Sequence, residues 1–140
     1  MSRHVIAAAL AAALCSNLLG YGPTRNSRRR LVQHGLASFY DDSFSGRVTA
    51  SGERFSQYKY VAAHPTYPVG TIVRVTNLAN GRSVTVRIID RGPSDKNRFD
   101  GVIIDLSRSA AEQLGFTKKG RTRVRTQVLK WGNEGQSGTG

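Results

Sequence analysis

An apolar residue alternates with a polar one along two segments of the chain, 83–89 (SVTVRII) and 122–131 (TRVRTQVLKW). A period of two predicts strands with one apolar face, and the polar face of the second strand carries arginines. Four other apolar segments, bounded by turn-forming residues, also predict strands. These are 31–40 (LVQHGLASFY), 60–64 (YVAAH), 71–77 (TIVRVTN) and 101–107 (GVIIDLS).

One helix and one hairpin complete the predicted domain. Segment 108–115 (RSAAEQLG) predicts a short helix, with Ser107 placed to cap its start and Gly115 its end. The Asn80-Gly81 pair lies between two predicted strands, and both residues tolerate a positive φ, which favours a hairpin turn. Six short strands with one or two short helices predict a mostly β fold, in which closure into a barrel would remove exposed edges.

The sequence on either side of this predicted domain, 31–130, has a different composition. Residues 1–20 contain an apolar run, Val5–Leu14, that is too short to span a bilayer and is typical of a secretory signal. The alternative is a buried N-terminal helix, but we expect export. Residues 21–30 (YGPTRNSRRR) predict a flexible basic linker, and residues 131–140 predict a disordered tail.

Cys15 is the only cysteine, so the chain cannot form an intrachain disulfide. It directly follows the apolar run, as the lipidated cysteine of bacterial lipoproteins does. Leu14, however, stands where a small residue is usual. Two outcomes therefore stay open, a lipid anchor at Cys15 and cleavage that releases a soluble exported protein.

Charge narrows the choice of partners. Lys and Arg number 21 against 9 Asp and Glu, a net charge of +12, and residues 31–140 alone carry +7 from 16 bases and 9 acids. Such a surface attracts nucleic acid, acidic lipid or anionic cell-wall polymer. The run Arg28–Arg30 is either a solvated linker or a contact with anionic lipid or wall polymer. Because we expect export, we do not expect nucleic acid as a partner.

Polar residues occur where a barrel does not require them. Glu53 lies in a loop, His64 follows apolar residues, and Asp90 ends a strand just before Arg91. If the three converge on a cleft, desolvated carboxylates there could act as acid and base on a glycosidic bond. Each also has a structural explanation as a loop charge, a hydrogen-bonded histidine or a turn acid. Asp105, a further acid in a buried-looking strand, could equally accept backbone N–H bonds near the helix start.

The sequence does not predict a metal or cofactor site. His4, His34 and His64 do not have metal-ligand spacing, and no second cysteine is available for zinc. No glycine-rich phosphate loop is present. We therefore expect neither a metal nor a cofactor.

Segment 33–116 resembles the rare lipoprotein A family. The motifs that carry the resemblance are TASGE, AAH…PVGT, VTNLANGRSVTVRI, DRGP and IDLSRSAAEQLG, in the family's order and spacing. The resemblance implies a six-stranded double-psi β-barrel, related in fold to expansins and barwin-like domains. It also implies an exported bacterial protein of the periplasm or cell envelope that binds peptidoglycan glycan strands, and we expect a monomer.

The resemblance further implies an endolytic lytic transglycosylase for cell-wall remodelling or daughter-cell separation. Such an enzyme cuts the β-1,4 bond between N-acetylmuramic acid and N-acetylglucosamine of peptide-free glycan and leaves 1,6-anhydro ends. The implied catalytic residues are Asp90, Glu53 and His64, and the implied substrate-binding residues are Tyr40, Thr49 and Arg91. In this hypothesis Asp90 is general acid and then base, Glu53 shares its proton, and His64 orients the sugar or the carboxylate. The alternatives are a non-catalytic, expansin-like module and a structural protein held at the wall by charge.

Three features depart from the family's usual pattern. Phe39 stands where a groove tryptophan is common, and Pro65 stands where a basic residue is frequent. Many members also carry a C-terminal repeat domain that binds septal glycan, and the sequence up to Gly140 shows none. The sequence therefore does not decide whether the protein is targeted to the septum.

Overall fold

Alternating apolar residues give six segments of the chain a buried face, and these segments form the strands of a closed barrel. The computed structural model describes residues 31–133. Its strands are β1 (Val32–Phe39), β2 (Val61–Ala63), β3 (Ile72–Asn77), β4 (Ser83–Asp90), β5 (Val102–Leu106) and β6 (Thr122–Lys130). They follow the order β1-β5-β2-β4-β3-β6 around the barrel, and β6 pairs with β1 to close it. The predicted fold class is confirmed.

Two of the strand pairs are parallel and bring together residues that are far apart in sequence. β1 runs parallel to β5 and places Ser38 beside Asp105. β2 runs parallel to β4 and antiparallel to β5, so that Ala63 is paired with both Asp90 and Asp105. Irregularities in β1 and β2 shift the register just before these residues. Asp90, Ala63, Asp105 and Ser38 therefore form one row across four strands.

The barrel interior is apolar, and a helix covers part of it. Val73, Val75, Ile88, Ile104 and Leu106 are completely buried in it. Ala110, Ala111 and Leu114 of the helix Arg108–Leu114 pack onto the same core. A second, smaller cluster lies outside the barrel and consists of Tyr40, Phe55, Val61, Ala63 and Ile89. This second cluster fixes the loop between β1 and β2 against the ends of the strands.

Both ends of the predicted helix form as expected. This helix is α2 (Arg108–Leu114); Ser107 caps it by accepting a hydrogen bond from the amide of Ala110, and Gly115 ends it at φ +78°. Another helix, α1 (Asp95–Phe99), and a 3₁₀ turn (Asp42–Phe44) have no buried residues. No apolar period could therefore have revealed them. None of the helices within residues 31–133 is long and apolar enough to cross a membrane.

Asn80 and Gly81, in the loop of the hairpin between β3 and β4, have different roles. Gly81 has the positive φ that its sequence allows, +76°, whereas Asn80 keeps a negative φ. Asn80 instead acts through its side chain, which accepts from the amide of Arg82 and donates to the carbonyl of Leu114. The hairpin loop is thus fastened to the end of α2.

Several predictions concern residues outside the part of the chain that the structure describes. They are the secretory signal (1–20) with Cys15, the basic linker (21–30) and most of the predicted tail (134–140).

Candidate active site

A cleft of about 440 Å³ lies on the outer side of β1 and β5, beside the end of β4. Residues from the end of β1, the 3₁₀ turn, the turn after β4 and α1 line it. Two carboxylates, Asp90 and Asp105, reach it from different strands. Of the three predicted catalytic residues, Asp90 lines this cleft, whereas Glu53 and His64 do not.

Asp90 is fixed by three hydrogen bonds. Its Oδ2 accepts from the hydroxyl of Tyr40 at 2.8 Å, and its Oδ1 accepts from the amides of Ala50 at 3.0 Å and Arg91 at 2.9 Å. Strand β4 ends on a charged residue because the carboxylate of Asp90 binds the loop that crosses the end of the strand. The same carboxylate is half-buried and lines the cleft. Burial above all, and then the bond to Asp90, raises the pKa of Tyr40, so its hydroxyl stays a donor.

Asp105 is the second carboxylate of the cleft, and its position follows from the alternation of β5. Val102, Ile104 and Leu106 point into the core, so Asp105 points outward. The hydroxyl of Ser38 donates to its Oδ1. Burial raises the pKa of Asp105, and the Ser38 hydrogen bond and the charge of Arg121 oppose that shift.

Gly92 keeps the cleft open beside Asp105. A Cβ at this position would lie 3.7 Å from Oδ2 of Asp105 and 3.4 Å from Cβ of Ala63. Gly92 also has a φ of +148°, which side-chain-bearing residues rarely adopt. Any side chain here would fill the cleft beside Asp105 and strain the turn.

His64 lies inside the protein, with only 1% of its surface exposed. Its Nδ1 accepts from the amides of Thr66 at 3.1 Å and Tyr67 at 3.0 Å, so Nε2 carries the proton and donates to Oε1 of Gln33 at 3.0 Å. Burial first, and then the charges of Arg91 and Arg98, lowers the pKa of His64 to about 3. The imidazole is therefore neutral at physiological pH.

His64 supports the site through its backbone and its ring. Its amide donates to the carbonyl of Asp90 at 3.1 Å, and its ring stacks on Tyr67 with 3.6 Å between ring centroids. The guanidinium of Arg91, a residue that lines the cleft, donates from Nη1 to the carbonyls of His64 and Tyr67. These bonds fasten the turn after β2 to the turn after β4.

Glu53 and Thr49 belong to a turn that lies against the end of β4. Both carboxylate oxygens of Glu53 accept from Nη2 of Arg87, at 2.8 Å and 3.2 Å. The hydroxyl of Thr49 donates to the carbonyl of Glu53 and closes the turn. The amide of Ser51 donates to the carbonyl of Ile89 and so binds the turn to β4. Thr49 is buried, and its hydroxyl also meets that of Ser51 within the turn. The structure thus places Glu53 beside Arg87 of β4, and Arg87 is three residues before Asp90.

Aromatic side chains form one rim of the cleft. Tyr40 stacks on Phe55 at 4.1 Å and meets Phe44 edge-on at 5.4 Å. Phe44 is 41% exposed, and the guanidinium of Arg47 lies 4.9 Å from its ring centroid. Phe39 also lines the cleft, and its ring packs edge-on against Phe116 in the core. Exposed aromatic carbon beside polar groups suits the apolar face and hydroxyl edge of a sugar.

Sequence reasoning left several cleft residues out of the predicted site, and two of them, Asp105 and Phe44, matter most for its chemistry. Asp105 had a signal, because an acid interrupts an otherwise apolar segment, Val102–Leu106. Phe44 had none, since a phenylalanine in a turn-rich segment fits many surroundings. No group of three or more His, Cys, Asp or Glu side chains within residues 31–133 could hold a metal ion.

Comparison with known proteins places this barrel in a family. Residues 32–126 match a family model described as lytic transglycolase. The chain is 53% identical over 102 residues to a probable endolytic peptidoglycan transglycosylase RlpA of Nostoc sp., an alignment that covers 71% of this chain and 26% of the relative. It is 45% identical over 105 residues to the endolytic peptidoglycan transglycosylase RlpA of Neisseria meningitidis, covering 75% and 42%.

The chain therefore spans less than half the length of these two relatives. Among solved structures, the Streptomyces papain inhibitor superposes with a TM-score of 0.56 at 25% identity, over 71% of this chain and 94% of that one. That likeness supports the closed-barrel architecture. The extent of the family match and the identity to both relatives show that this chain belongs to the RlpA-like family of double-psi β-barrel proteins.

Proposed function

We propose that the cleft cleaves peptidoglycan glycan strands as an endolytic lytic transglycosylase. The names of the relatives and the family model support this activity. Since the chain spans less than half of those relatives, the activity, the substrate and an envelope location are extended to it as parts of this proposal. Export and lipidation at Cys15 stay predictions from the sequence.

The observation that carries the proposal is a pair of carboxylates in unlike surroundings that face one cleft. Asp105 is mostly buried, and its raised pKa favours the protonated form. Asp90 accepts three hydrogen bonds, which match the acceptor oxygens of a carboxylate. In such unlike surroundings, the carboxyl group whose protonated form burial favours is suited to be the acid, and the one that accepts hydrogen bonds on both oxygens is suited to be the base.

The reaction divides between the two groups as follows. Asp105 donates its proton to the glycosidic oxygen as the bond between that oxygen and C1 of the muramyl residue breaks. Asp90 accepts the proton of the C6 hydroxyl of the same muramyl residue, whose oxygen then bonds to C1. The products are a free hydroxyl on N-acetylglucosamine and a 1,6-anhydro ring, and no water is consumed. The position of Asp105 favours this division over a mechanism in which Asp90 performs both transfers.

The remaining predicted site residues have supporting roles in this proposal. Tyr40 orients Asp90 through its hydroxyl, and His64 orients Asp90 through the backbone. Glu53 and Thr49 hold the turn whose Ala50 amide binds Asp90. Arg91 links the turns on either side and lines the cleft, and we assign it the contact with a muramyl carboxylate.

Digestion of peptide-free glycan strands, followed by mass spectrometry, tests the proposal. The unaltered chain is expected to release internal fragments whose muramyl ends are one water lighter than those of hydrolysis products. Fragments that carry the mass of the added water would assign a hydrolase instead. Sedimentation with peptidoglycan without any fragments would assign the expansin-like binding module and end the enzymatic proposal.

A further inference from the structure

Acidic and basic side chains are distributed unequally around the barrel. The neighbouring strands β1, β6 and β3 contain no Asp or Glu. Their exposed or partly exposed positions carry Arg74, Arg123, Arg125 and Lys130. The acids of residues 31–133 lie instead in the loops and helices and at β4 and β5, at Asp41, Asp42, Glu53, Asp90, Asp95, Asp100, Asp105 and Glu112.

Strand pairing brings three of these basic side chains onto one surface. Arg123 and Arg125 are two residues apart on β6, which places them on the same face about 7 Å apart. Arg74 of β3 is directly opposite Gln127, the next outward residue of β6. Arg74 and Arg125 are thus diagonal cross-strand neighbours, at about 7–8 Å. With Lys130 at the end of β6, they form what we call the basic wall.

The charge of the basic wall is not neutralised within the barrel. The ion pairs among residues 31–133 involve other arginines, such as Arg87 with Glu53 and Arg121 with Asp100. The guanidinium of Arg125 donates to the amide oxygen of Gln127, a neutral partner. A group of like charges that stays unpaired is a favourable site for an anionic partner.

Aliphatic side chains lie among these charges. Leu129 is 45% exposed and adjoins Lys130, which is paired with Ile72, two residues before Arg74 on β3. On β1, Leu36 is paired with Arg123 and Val32 with Gln127. A dissolved polyanion needs only the charges. The interface of a bilayer accommodates both kinds of group, since cations meet the headgroups and aliphatic carbon enters the acyl boundary.

The basic wall and the cleft lie on different sides of the barrel. β3 and β5 are three positions apart in a ring of six strands, so they are opposite each other. The basic wall is centred on β6 and β3, whereas the cleft lies on the outer side of β5 and the end of β1. A surface bound to the basic wall would leave the cleft open.

We propose that the basic wall docks the protein on an anionic phospholipid bilayer, with the cleft turned away from the lipid. Docking is independent of the chemistry proposed for the cleft. With the basic wall against the lipid, the cleft would face the aqueous space next to the bilayer. Docking would occur whether or not Cys15 is lipidated.

Vesicle sedimentation with the full chain tests the docking. Vesicles of phosphatidylcholine alone are compared with vesicles that also contain phosphatidylglycerol. Each engaged Lys or Arg contributes about a fivefold factor in affinity at low salt, so the variant R74Q/R123Q/R125Q is expected to bind the anionic vesicles about 100-fold more weakly. The matched control is K59Q/K96Q/K118Q, which removes the same charge from exposed lysines outside the wall. The control is expected to lose less than tenfold, and melting temperatures confirm that both variants are folded.

A second variant separates a bilayer from a dissolved polyanion. L129Q is expected to weaken binding to anionic vesicles severalfold while leaving the binding of soluble polyphosphate unchanged. Equal losses in the wall variant and its lysine control would show a general charge effect and overturn the proposal. So would equal binding to both kinds of vesicle, or an L129Q protein that binds anionic vesicles as tightly as the unaltered chain.

Discussion

The cleft and the pocket around His64 each hold a titratable group whose charged form burial disfavours, yet only one of these groups can reach a substrate. Burial raises the pKa of Asp105 and lowers that of His64, because in both cases it penalises the charged form. Asp105 lines an open cleft, whereas the two ring nitrogens of His64 are both hydrogen-bonded within the protein. Access, rather than residue type or pKa, separates a group that can exchange protons with a ligand from one that supports the fold.

This comparison predicts opposite consequences for substitutions in the two regions. Changes in the cleft should reduce turnover and leave stability nearly intact. Changes at His64 should act first on stability. The largest effect is expected at Asp90 and the smallest at Glu53.

Replacing Asp90 with Asn is expected to reduce glycan cleavage about 100- to 10,000-fold, because a general acid–base residue contributes a factor of that order. The amide side chain is isosteric, so the melting temperature should change little. The exposed Asp95 of α1 provides a matched control, and D95N should cleave at the normal rate. A folded D90N protein with normal turnover would falsify the role given to Asp90.

Replacing Asp105 with Asn is expected to reduce turnover about 100-fold, since the leaving oxygen loses its proton donor. A general acid must be protonated, so the activity of the unaltered protein should fall as pH rises through the pKa of Asp105. The residual activity of D105N should lack that basic limb. A pH profile of kcat that keeps the same limb in D105N would assign it to another group.

Replacing Ser38 with Ala tests the same carboxyl without removing it. The Ser38 hydrogen bond opposes the effect of burial on Asp105, so its loss should raise the pKa of Asp105 further. The basic limb of the pH profile should then move to higher pH while kcat at acidic pH changes little. A limb that stays in place or moves to lower pH would contradict the assignment of Asp105 as the acid.

His64 is expected to make stability depend on pH. Its pKa in the folded protein is about 3, against about 6.5 in an unfolded chain, so the unfolded state binds the proton first as pH falls. The free energy of unfolding should therefore decrease below about pH 6.5, with a slope from this group of up to about 1.4 kcal/mol per pH unit. Urea titrations of the unaltered chain and H64Q across this range measure the difference. Parallel curves for the two proteins would show that His64 does not titrate as proposed.

Replacing Glu53 with Gln is expected to have the smallest effect. Its ion pair with Arg87 is about one-third exposed, and such pairs contribute at most about 1 kcal/mol to stability. Because Glu53 does not line the cleft, turnover should change less than tenfold. A loss as large as that of D90N, in a folded E53Q protein, would restore the proton-sharing role that the family resemblance implies.

Local patterns in the sequence predicted the strands and one helix well. β4 and β6 follow directly from their alternation, and α2 begins after Ser107 and ends at Gly115, as its caps predict. In contrast, α1 buries no side chain and so has no apolar period to detect. Elements that contribute to the core leave a pattern in the sequence, and elements that only shape the surface do not.

The arrangement of the candidate site could be predicted only in part. Asp90 was recognisable because a charge ends an apolar strand. The proximity of Asp105 to Asp90 depends on the parallel pairing of β2 with β4, on its register shift and on the antiparallel pairing of β2 with β5, and these are not encoded in any short segment. The partners of His64 were equally hidden, because one is Gln33, thirty-one residues away. Geometry between distant strands therefore decided which polar residues share a cleft.

The antiparallel pairing of β1 with β6 has one more consequence. Val32 is opposite Gln127, and the amide of Val128 donates to the carbonyl of Leu31, so the first and last strands enter and leave the barrel side by side. A polypeptide with adjacent ends can be spliced into a surface loop of another protein, or have those ends joined and new ones opened elsewhere, without rerouting its backbone. The barrel is thus suited to be a portable unit that evolution or an engineer can transplant whole.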